Sequence, residues 1–495
     1  MATSIEHSGK VKTLSCHLRG AAACLFIFAT PCALSLRRAG GTGQSSVLRI
    51  ATARRASLAS RPKSAGQWMI LCVAGLRFLR HEASRAACCL LALMLIGVGS
   101  AGAQEAGVRT GSYLGGRGPY DPRPFEDTRL GDRLFLGADF FQSKNRHWIE
   151  EGFAIGGYVS LNMQGGSEDS KLHSMSETLI IGAWEPLRQA NEAGRWVFGL
   201  AHDHVIGDLT TREFADRQGL VETPDDLDTS PDKTFTTLGL LAWEHEFHTQ
   251  ADGGWGYRAG QLFAAGYFGS AVYLDDDRKF FMARPLAAAA GAQWVGNNDI
   301  GLGANVVVWR NPYYISLAAI DGKANRKYPD FDSLLDGELL YLGEVGIESD
   351  LDGPNEAIVR LTATHLDLSG ENPEEGPGES MMFSAERRFG GRWAIFGRWS
   401  KSFRRLSADY RELLSAGGAW LRPFGFDQDF MGFGFFAGTP SDPAKSDEYG
   451  AELSYKVQLT QDFSVMPDLQ YWYRSDPDSQ RTSVWIAGVR ANFEF

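Results

Sequence analysis

Alternation of side chains along residues 483–495 constrains the fold more than any other feature of this sequence. One set of alternate positions is apolar, with aromatic residues at both ends: Trp485, Ala487, Val489, Ala491, Phe493 and Phe495. After an apolar start, the other set is small or polar: Gly488, Arg490, Asn492 and Glu494. Successive side chains of a strand point to opposite faces, so this period of two predicts a β-strand with one apolar and one polar face. Such a strand is typical of a transmembrane β-barrel, whose lipid side and lumen side alternate.

The same alternation recurs upstream, so the prediction does not depend on one segment. The segments 153–164, 451–459 and 465–473 each oppose an apolar set to a polar set. Further candidate strands are Glu177–Trp184, Arg195–His204, Thr236–Phe247, Trp255–Phe263, Ala288–Val295, Asp299–Trp309, Leu339–Ser349, Ala357–Leu368, Met381–Phe389 and Arg392–Ser400. Strands of about ten residues would place about 16 to 18 of them after residue 103. We therefore predict an all-β fold, a transmembrane antiparallel β-barrel wide enough to hold water.

The connections between the predicted strands alternate in length. Tight turns at Gln461 and at Gly390-Gly391 alternate with longer polar stretches at 438–447 and 475–482. Outer-membrane barrels have short turns on the periplasmic side and long loops outside. This alternation predicts that the last residue of the chain lies on the periplasmic side.

The region before residue 104 has the three parts of a secretory signal peptide, at 77–103. Arg77–Arg85 is basic, Ala86–Val98 is an apolar run, and small residues precede a predicted cleavage between Ala103 and Gln104. We interpret 1–76 as unstructured, either the product of a start codon placed too early or a long cleaved leader. We expect a mobile segment at 104–136 and one barrel domain at 137–495, which opens with a short helical or irregular stretch.

Composition agrees with export and argues against nucleic acid as a partner. All six cysteines lie between Cys16 and Cys89, and an exported chain without thiols avoids mispaired disulfides. Residues 1–103 hold 13 Lys and Arg against 2 Asp and Glu, so the net charge of the rest is −22 rather than −11. An acidic chain disfavours nucleic acid. We interpret the acidic runs 222–228 and 371–379 as solvated loop faces.

No motif in the sequence predicts catalysis, a metal or a cofactor. After Ala103 there is no stretch of about 18 apolar residues, which excludes membrane-spanning helices. His245 and His248 have the spacing of a zinc pair on a helix, but on a strand they face opposite sides. His202 and His204 share a face with no third ligand in view. A barrel-type hydrolase would need a Ser or an acid beside a His on one strand face, and no such group stands out.

Four blocks of sequence between residues 150 and 471 carry a resemblance to a known family. They are Glu150-Glu151-Gly152 leading into Tyr158, Arg258–Leu262 followed by Tyr267-Phe268, Phe426–Gly434, and Glu448–Leu469 followed by Gln470-Tyr471. These blocks resemble the carbohydrate-selective porins, the OprB-like outer-membrane porins. The chain departs from that pattern at Gln261, where Lys is common, and it lacks the usual Gly-Asp-Trp-Gly opening. The resemblance spans 137–495 and implies a monomeric barrel of about 16 strands that passes sugars by facilitated diffusion.

Strand parity assigns a set of polar and aromatic side chains to the lumen. The set is Arg258, Arg360, Glu386, Arg388, Arg398, Asp468, Gln470, Trp472 and Arg490. Arginine donates hydrogen bonds to hydroxyls in a fixed fork, carboxylates accept them, and Trp offers a flat apolar face to a sugar ring. The same residues could instead interlock as ion pairs that keep the barrel wall rigid, and both roles stay open.

The sequence therefore predicts a carbohydrate-selective porin in the outer membrane of a Gram-negative bacterium, with small sugars as solutes and no cofactor. A non-selective general diffusion porin is the closest alternative, because selectivity depends on the geometry of the constriction. The expected partners are outer-membrane lipid, lipopolysaccharide and the barrel-assembly machinery. The resemblance also implies that Phe493 and Phe495 belong to the C-terminal signal that this machinery reads.

Overall fold

Sixteen strands form a closed barrel in the computed structural model. The structure describes residues 152–189, 191–226, 233–250, 253–274, 280–288, 300–322, 338–350, 353–367, 378–403, 409–460, 462–474 and 483–495. The strands are β1 Phe153–Gly166, β2 His173–Gln189, β3 Glu192–Val205, β4 Thr234–Gln250, β5 Gly253–Phe263, β6 Ile300–Arg310, β7 Tyr313–Asp321, β8 Leu339–Ser349, β9 Ala357–Asp367, β10 Gly378–Phe389, β11 Trp393–Ser402, β12 Tyr410–Leu421, β13 Phe430–Pro440, β14 Glu448–Gln458, β15 Phe463–Arg474 and β16 Ser483–Glu494. Two short helices, α1 Thr211–Gln218 and α2 Arg284–Ala287, lie in connections between strands.

Each strand pairs antiparallel with its neighbours in the chain, and β1 closes the barrel against β16. The closing register places Leu161 opposite Ala491 and Asn162 opposite Arg490. Directly opposed residues share a face, so apolar and polar pairs alternate across the seam. The predicted all-β barrel of antiparallel strands is confirmed, at the lower end of the predicted strand number.

The outer face of the barrel is apolar. Val306 and Val308 of β6 and Ile315 and Leu317 of β7 are 45% to 60% exposed. Asn305, which precedes Val306 and faces inward, is 2% exposed. Large aliphatic side chains exposed at every second position are what a lipid-facing barrel surface requires.

Aromatic pairs lie toward both ends of this outer face. Trp393 and Trp420, near the end with the short turns, stack with ring centroids 5.3 Å apart. Tyr471 and Trp485 contact each other at 4.8 Å near the opposite end. Aromatic girdles at the two interfaces flank the apolar band of outer-membrane barrels, and these pairs have the corresponding placement.

Short and long connections are segregated between the two ends of the barrel. At one end, β10 and β11 are joined through Gly390 and Gly391, whose φ angles of 56° and 72° suit glycine. At the other end, the connections 206–233 and 264–299 are the longest. None of the helices in the described ranges has the length and apolar character needed to cross a bilayer.

Three strands of the barrel were not predicted from the sequence, and one predicted strand, at 288–295, lies almost entirely outside the described residues. The three are β7, β12 and β13, and their inward positions are largely apolar or small, which weakens the period of two. Residue Ala288, where a strand was predicted to begin, follows α2, and 289–299 lie outside the described residues. The predictions for 1–151, including the cleavage site and the short helical stretch, also concern residues outside the described ranges.

Candidate functional site

Two of the long connections fold back into the barrel. Segment A, residues 206–226, follows β3, and segment B, residues 264–274 and 280–288, follows β5. Phe214 of segment A and Phe281 of segment B belong to one buried apolar cluster with the inward-facing side chains Phe396 and Trp472. The lumen is therefore narrowed by chain that is packed onto its wall.

Helix α1 gives segment A a defined shape. Its N-cap Thr210 accepts a hydrogen bond from the backbone N–H of Glu213, and the Glu213 side chain accepts one from the N–H of Thr210. This capping box satisfies backbone donors that a helix start leaves unpaired. The helix ends at Gly219, whose φ of 70° is the left-handed conformation that favours glycine.

Inward-facing side chains of β1, β15 and β16 hold the end of segment A. The Pro224 carbonyl accepts hydrogen bonds from Gln164 Nε2 at 2.9 Å and Gln470 Nε2 at 2.8 Å. Asp225 accepts hydrogen bonds from Asn162 and, at 2.5 Å, from Arg490 Nη2. The Asp225 carboxylate is thus buried with a cation and an amide donor, which is how a buried charge is tolerated.

The prediction of solvated loop faces for 222–228 was wrong for two of its acids. Glu222 is 2% exposed and Asp225 is fully buried. The physical reason is that segment A lies inside the barrel, where Arg284 and Arg490 provide partners for these carboxylates. Residues 227 and 228 lie outside the described ranges.

Carboxylates of the wall hold segment B through its backbone. Glu386 accepts hydrogen bonds from the N–H groups of Val272, at 2.8 Å, and Tyr273. Glu452 accepts from the N–H groups of Met282 and Ala283, at 2.5 and 3.0 Å. Each of these carboxyl groups satisfies two backbone N–H groups and so acts as a clamp on an irregular stretch of chain.

Arginines of the wall hold the carbonyl groups of segment B. Arg398 Nη1 donates to the Ala288 carbonyl at 2.5 Å, and Arg360 Nη1 donates to the Ser270 carbonyl. Arg360 also pairs with Glu348 at 2.8 Å. Donors and acceptors of the wall therefore satisfy both kinds of backbone group in segment B, which a buried loop requires.

Glycines on the inner face of β13 leave room for segment B. A Cβ atom at Gly434 would lie 2.8 Å from Leu286 of α2, and one at Gly432 would lie 3.0 Å from Phe281. Because these positions carry no side chain, the segment approaches the wall closely.

The two segments contact each other through Arg284. Its backbone N–H donates to the Thr223 carbonyl at 3.2 Å, and its guanidinium lies 3.5 Å from both Glu222 and Asp226. Burial raises the pKa of the Glu222 carboxyl to about 7, although Arg284 opposes the shift. Segments A and B therefore form one structural unit inside the barrel.

A second charged cluster lies where segment B begins. Glu244 of β4 pairs with Arg258 and, at 2.6 Å, with Arg195. The Arg258 guanidinium also lies 3.6 Å from the centre of the Tyr267 ring. Burial raises the pKa of the Tyr267 hydroxyl to about 12, so this ring stays neutral beside the guanidinium.

All nine residues predicted for the lumen face the interior, and most are covered by the segments or by one another. Those that are less than 9% exposed are Arg258, Arg360, Glu386, Arg398, Asp468, Gln470, Trp472 and Arg490. Arg388 is more open, with 18% of its side chain exposed, and pairs with Glu356 at 3.3 Å. Direct contact of these residues with a solute stays a prediction.

Several residues of the site were not predicted. Parity placed Glu452 on the inner face of β14, but no pattern in the chain indicated what it would hold. Glu222, Asp225 and Arg284 lie on irregular chain without period, so no pattern pointed to them. Among the described residues, no group of three His, Cys, Asp or Glu side chains is placed to hold a metal ion.

The closed barrel with two connections folded into its lumen defines the class of the protein, which is that of the porins. The family model described as carbohydrate-selective porin, OprB family, matches residues 237–495. This match covers more than half of the chain, and the chain belongs to that family. No curated protein matches the chain at a significant level.

Solved structures resemble the fold at low sequence identity. A high-pH structure of Pseudomonas putida OprB matches with a TM-score of 0.59 and 12% identity, covering 74% of this chain and 99% of that one. A low-pH structure of the same protein matches with a TM-score of 0.46 and 11% identity, and covers the same shares of the two chains. A mutant of the Rhodopseudomonas blastica porin matches with a TM-score of 0.42 and 11% identity, covering 69% of this chain and 100% of that one. The first of these likenesses supports the fold.

Proposed function

We propose that this porin lets small sugars cross the outer membrane of a Gram-negative bacterium by passive diffusion. The observation that carries the proposal is the unit formed by segments A and B, which is held to the wall by side chains from most of the barrel. A solute that enters the lumen must pass beside this unit. The choice of sugars as solutes rests on the family, whose description names carbohydrate selectivity.

The chemistry of the narrowed lumen is suited to polar, uncharged solutes. Partly exposed arginines and acids, such as Arg284 and Asp226 with 22% and 26% of their side chains exposed, offer donors and acceptors that are already paired. A paired group can exchange a hydrogen bond with a hydroxyl without binding the solute tightly, and a channel needs weak, repeated binding. The proposed role is transport without a catalytic step, by a monomer that is surrounded by lipid and lipopolysaccharide and inserted by the barrel-assembly machinery.

Liposome swelling tests this proposal. Proteoliposomes that contain the purified protein should swell faster in D-glucose than in a zwitterionic amino acid or a neutral polyol of matched size. Equal swelling rates for solutes of equal size would contradict sugar selectivity and favour a general diffusion porin. No swelling in any of these solutes would contradict the diffusion role itself.

A further inference from the structure

A cavity of about 170 Å³ lies at the long-connection end of the barrel, apart from the contact between the two segments. Its lining residues are Glu168, Arg217, Gln218, Gly219, Leu220, Trp472, Arg474, Ser483 and Val484. They come from the end of α1, from the connection after β1, and from the facing ends of β15 and β16. One water takes about 30 Å³ in the liquid, so the cavity has room for a small ring-shaped ligand rather than for a chain.

The walls of this cavity are fixed by hydrogen bonds between its elements. Gln218 accepts a hydrogen bond from the Glu168 N–H at 3.1 Å and donates one to the Asp169 carbonyl, also at 3.1 Å. Arg217 pairs with Asp169 at 3.0 Å. The end of α1 is therefore docked on the connection after β1, and the cavity is a built feature of the rim.

One cation in the lining is left available. In the described part of the chain, the Arg474 guanidinium makes no hydrogen bond or ion pair, although it interacts electrostatically with Glu448, the residue opposite it on β14. It lies beside the backbone of Gly219, where a Cβ atom would come within 3.0 Å of its Nη2. A guanidinium held in this way presents several donors in a plane, which matches neighbouring hydroxyl oxygens on a ring.

The remaining lining has the two sides that a sugar ring requires. Leu220, Val484 and the edge of Trp472 are apolar, whereas Ser483 and Glu168 supply polar groups. A pyranose has apolar C–H faces and a rim of hydroxyls, so both sides find partners. The Glu168 carboxylate in the lining disfavours an anionic ligand, because like charges repel at short range.

We propose that this cavity is a binding site for a neutral monosaccharide at the outer mouth of the porin, with Arg474 as its main hydrogen-bond donor. The inference rests on the proposed function, since it assumes that sugars enter here. A mouth site would raise the local concentration of the solute before it reaches the segments.

Binding of D-glucose to the purified protein, followed by saturation-transfer NMR titration, tests the site. Arg474→Gln should raise the dissociation constant at least about tenfold, because hydrogen bonds to charged groups are among the stronger ones. Ser483→Phe, which fills the cavity, should have a similar effect. The matched control is Arg422→Gln, an exposed arginine at the opposite end of the barrel that pairs with Asp427. Arg422→Gln should leave the dissociation constant for D-glucose unchanged. Heat-modifiable migration in electrophoresis checks that each variant is folded.

Unchanged glucose binding in both Arg474→Gln and Ser483→Phe would overturn the inference. Tighter binding of D-glucuronate than of D-glucose by the unmodified protein would also overturn it, in favour of an anion site. Failure of the proposed function has a different signature, since the unmodified protein would then not distinguish sugars from other solutes in liposome swelling. Selective swelling with unchanged binding in the variants would leave the proposed function standing without the mouth site.

Discussion

Glu222 shows at the scale of one residue how the fold sets the properties of a side chain. Burial removes water from its carboxyl and raises the pKa from an ordinary 4.5 to about 7, an effect that Arg284 opposes and Asp409 increases. An acid with a raised pKa keeps its proton in the folded state at a pH where the unfolded chain has lost it. Its contribution to the free energy of unfolding therefore falls as the pH rises from about 4.5 to about 7.

Replacing Glu222 with Gln should remove this pH dependence. We expect the stability of the unmodified protein, relative to Glu222→Gln, to fall as the pH is raised from about 5 to about 8. The measurement is the temperature at which the folded band is lost in electrophoresis at each pH. Asp427→Asn, a change at an exposed carboxyl, is the control and should follow the unmodified protein. If this temperature differed by the same amount between Glu222→Gln and the unmodified protein at every pH in this range, Glu222 would not be a buried carboxyl group with a raised pKa.

At the scale of elements, segment B depends on the clamp formed by Glu386. Glu386→Ala would leave the N–H groups of Val272 and Tyr273 without their acceptor, at a cost of about 1–3 kcal/mol. We expect a loosened segment, seen in planar bilayers as a larger or noisier single-channel conductance, while the barrel remains folded.

The control for this change lies on the opposite face of the same strand. Glu379 of β10 faces outward and lies 3.8 Å from His365, with both side chains more than 40% exposed. An exposed pair of this kind contributes about 0–1 kcal/mol, so Glu379→Ala should leave the conductance as it was. If the two variants conducted alike, the clamp would not hold the segment.

The alternation of side chains along each strand made the inner wall of the barrel predictable from sequence, whereas the positions of segments A and B inside the barrel could not be predicted. Arg398 and Gln470 could be assigned to the inner face from sequence, because the period of two fixes which side of a strand a residue occupies. Their partners, the carbonyls of Ala288 and Pro224, lie far away in the chain on irregular segments that have no period. The capping box at Thr210 and Glu213 was a readable sign of a helix, but nothing local indicated that this helix lies inside a barrel.

At the scale of the whole molecule, a barrel with an apolar outer face encloses an interior occupied by its own connections. The outer surface is apolar between aromatic pairs, and the polar side chains of the wall are directed at segments A and B rather than left in open water. A rigid wall with an anchored constriction is what the proposed passage of small solutes requires. The central claim is that the segments lie inside the barrel against the inward-facing positions of the strands.

Site-directed cross-linking tests this claim most directly, because all six cysteines of the chain lie at or before residue 89 and the barrel strands carry none. Pro224 of segment A contacts the inward-facing Gln470, whereas the next residue, Tyr471, faces outward against Trp485. A short bifunctional thiol reagent should cross-link the double variant Pro224→Cys and Gln470→Cys in the folded protein. It should not cross-link Pro224→Cys and Tyr471→Cys. Cross-linking of the second pair in place of the first, or of neither, would contradict the account.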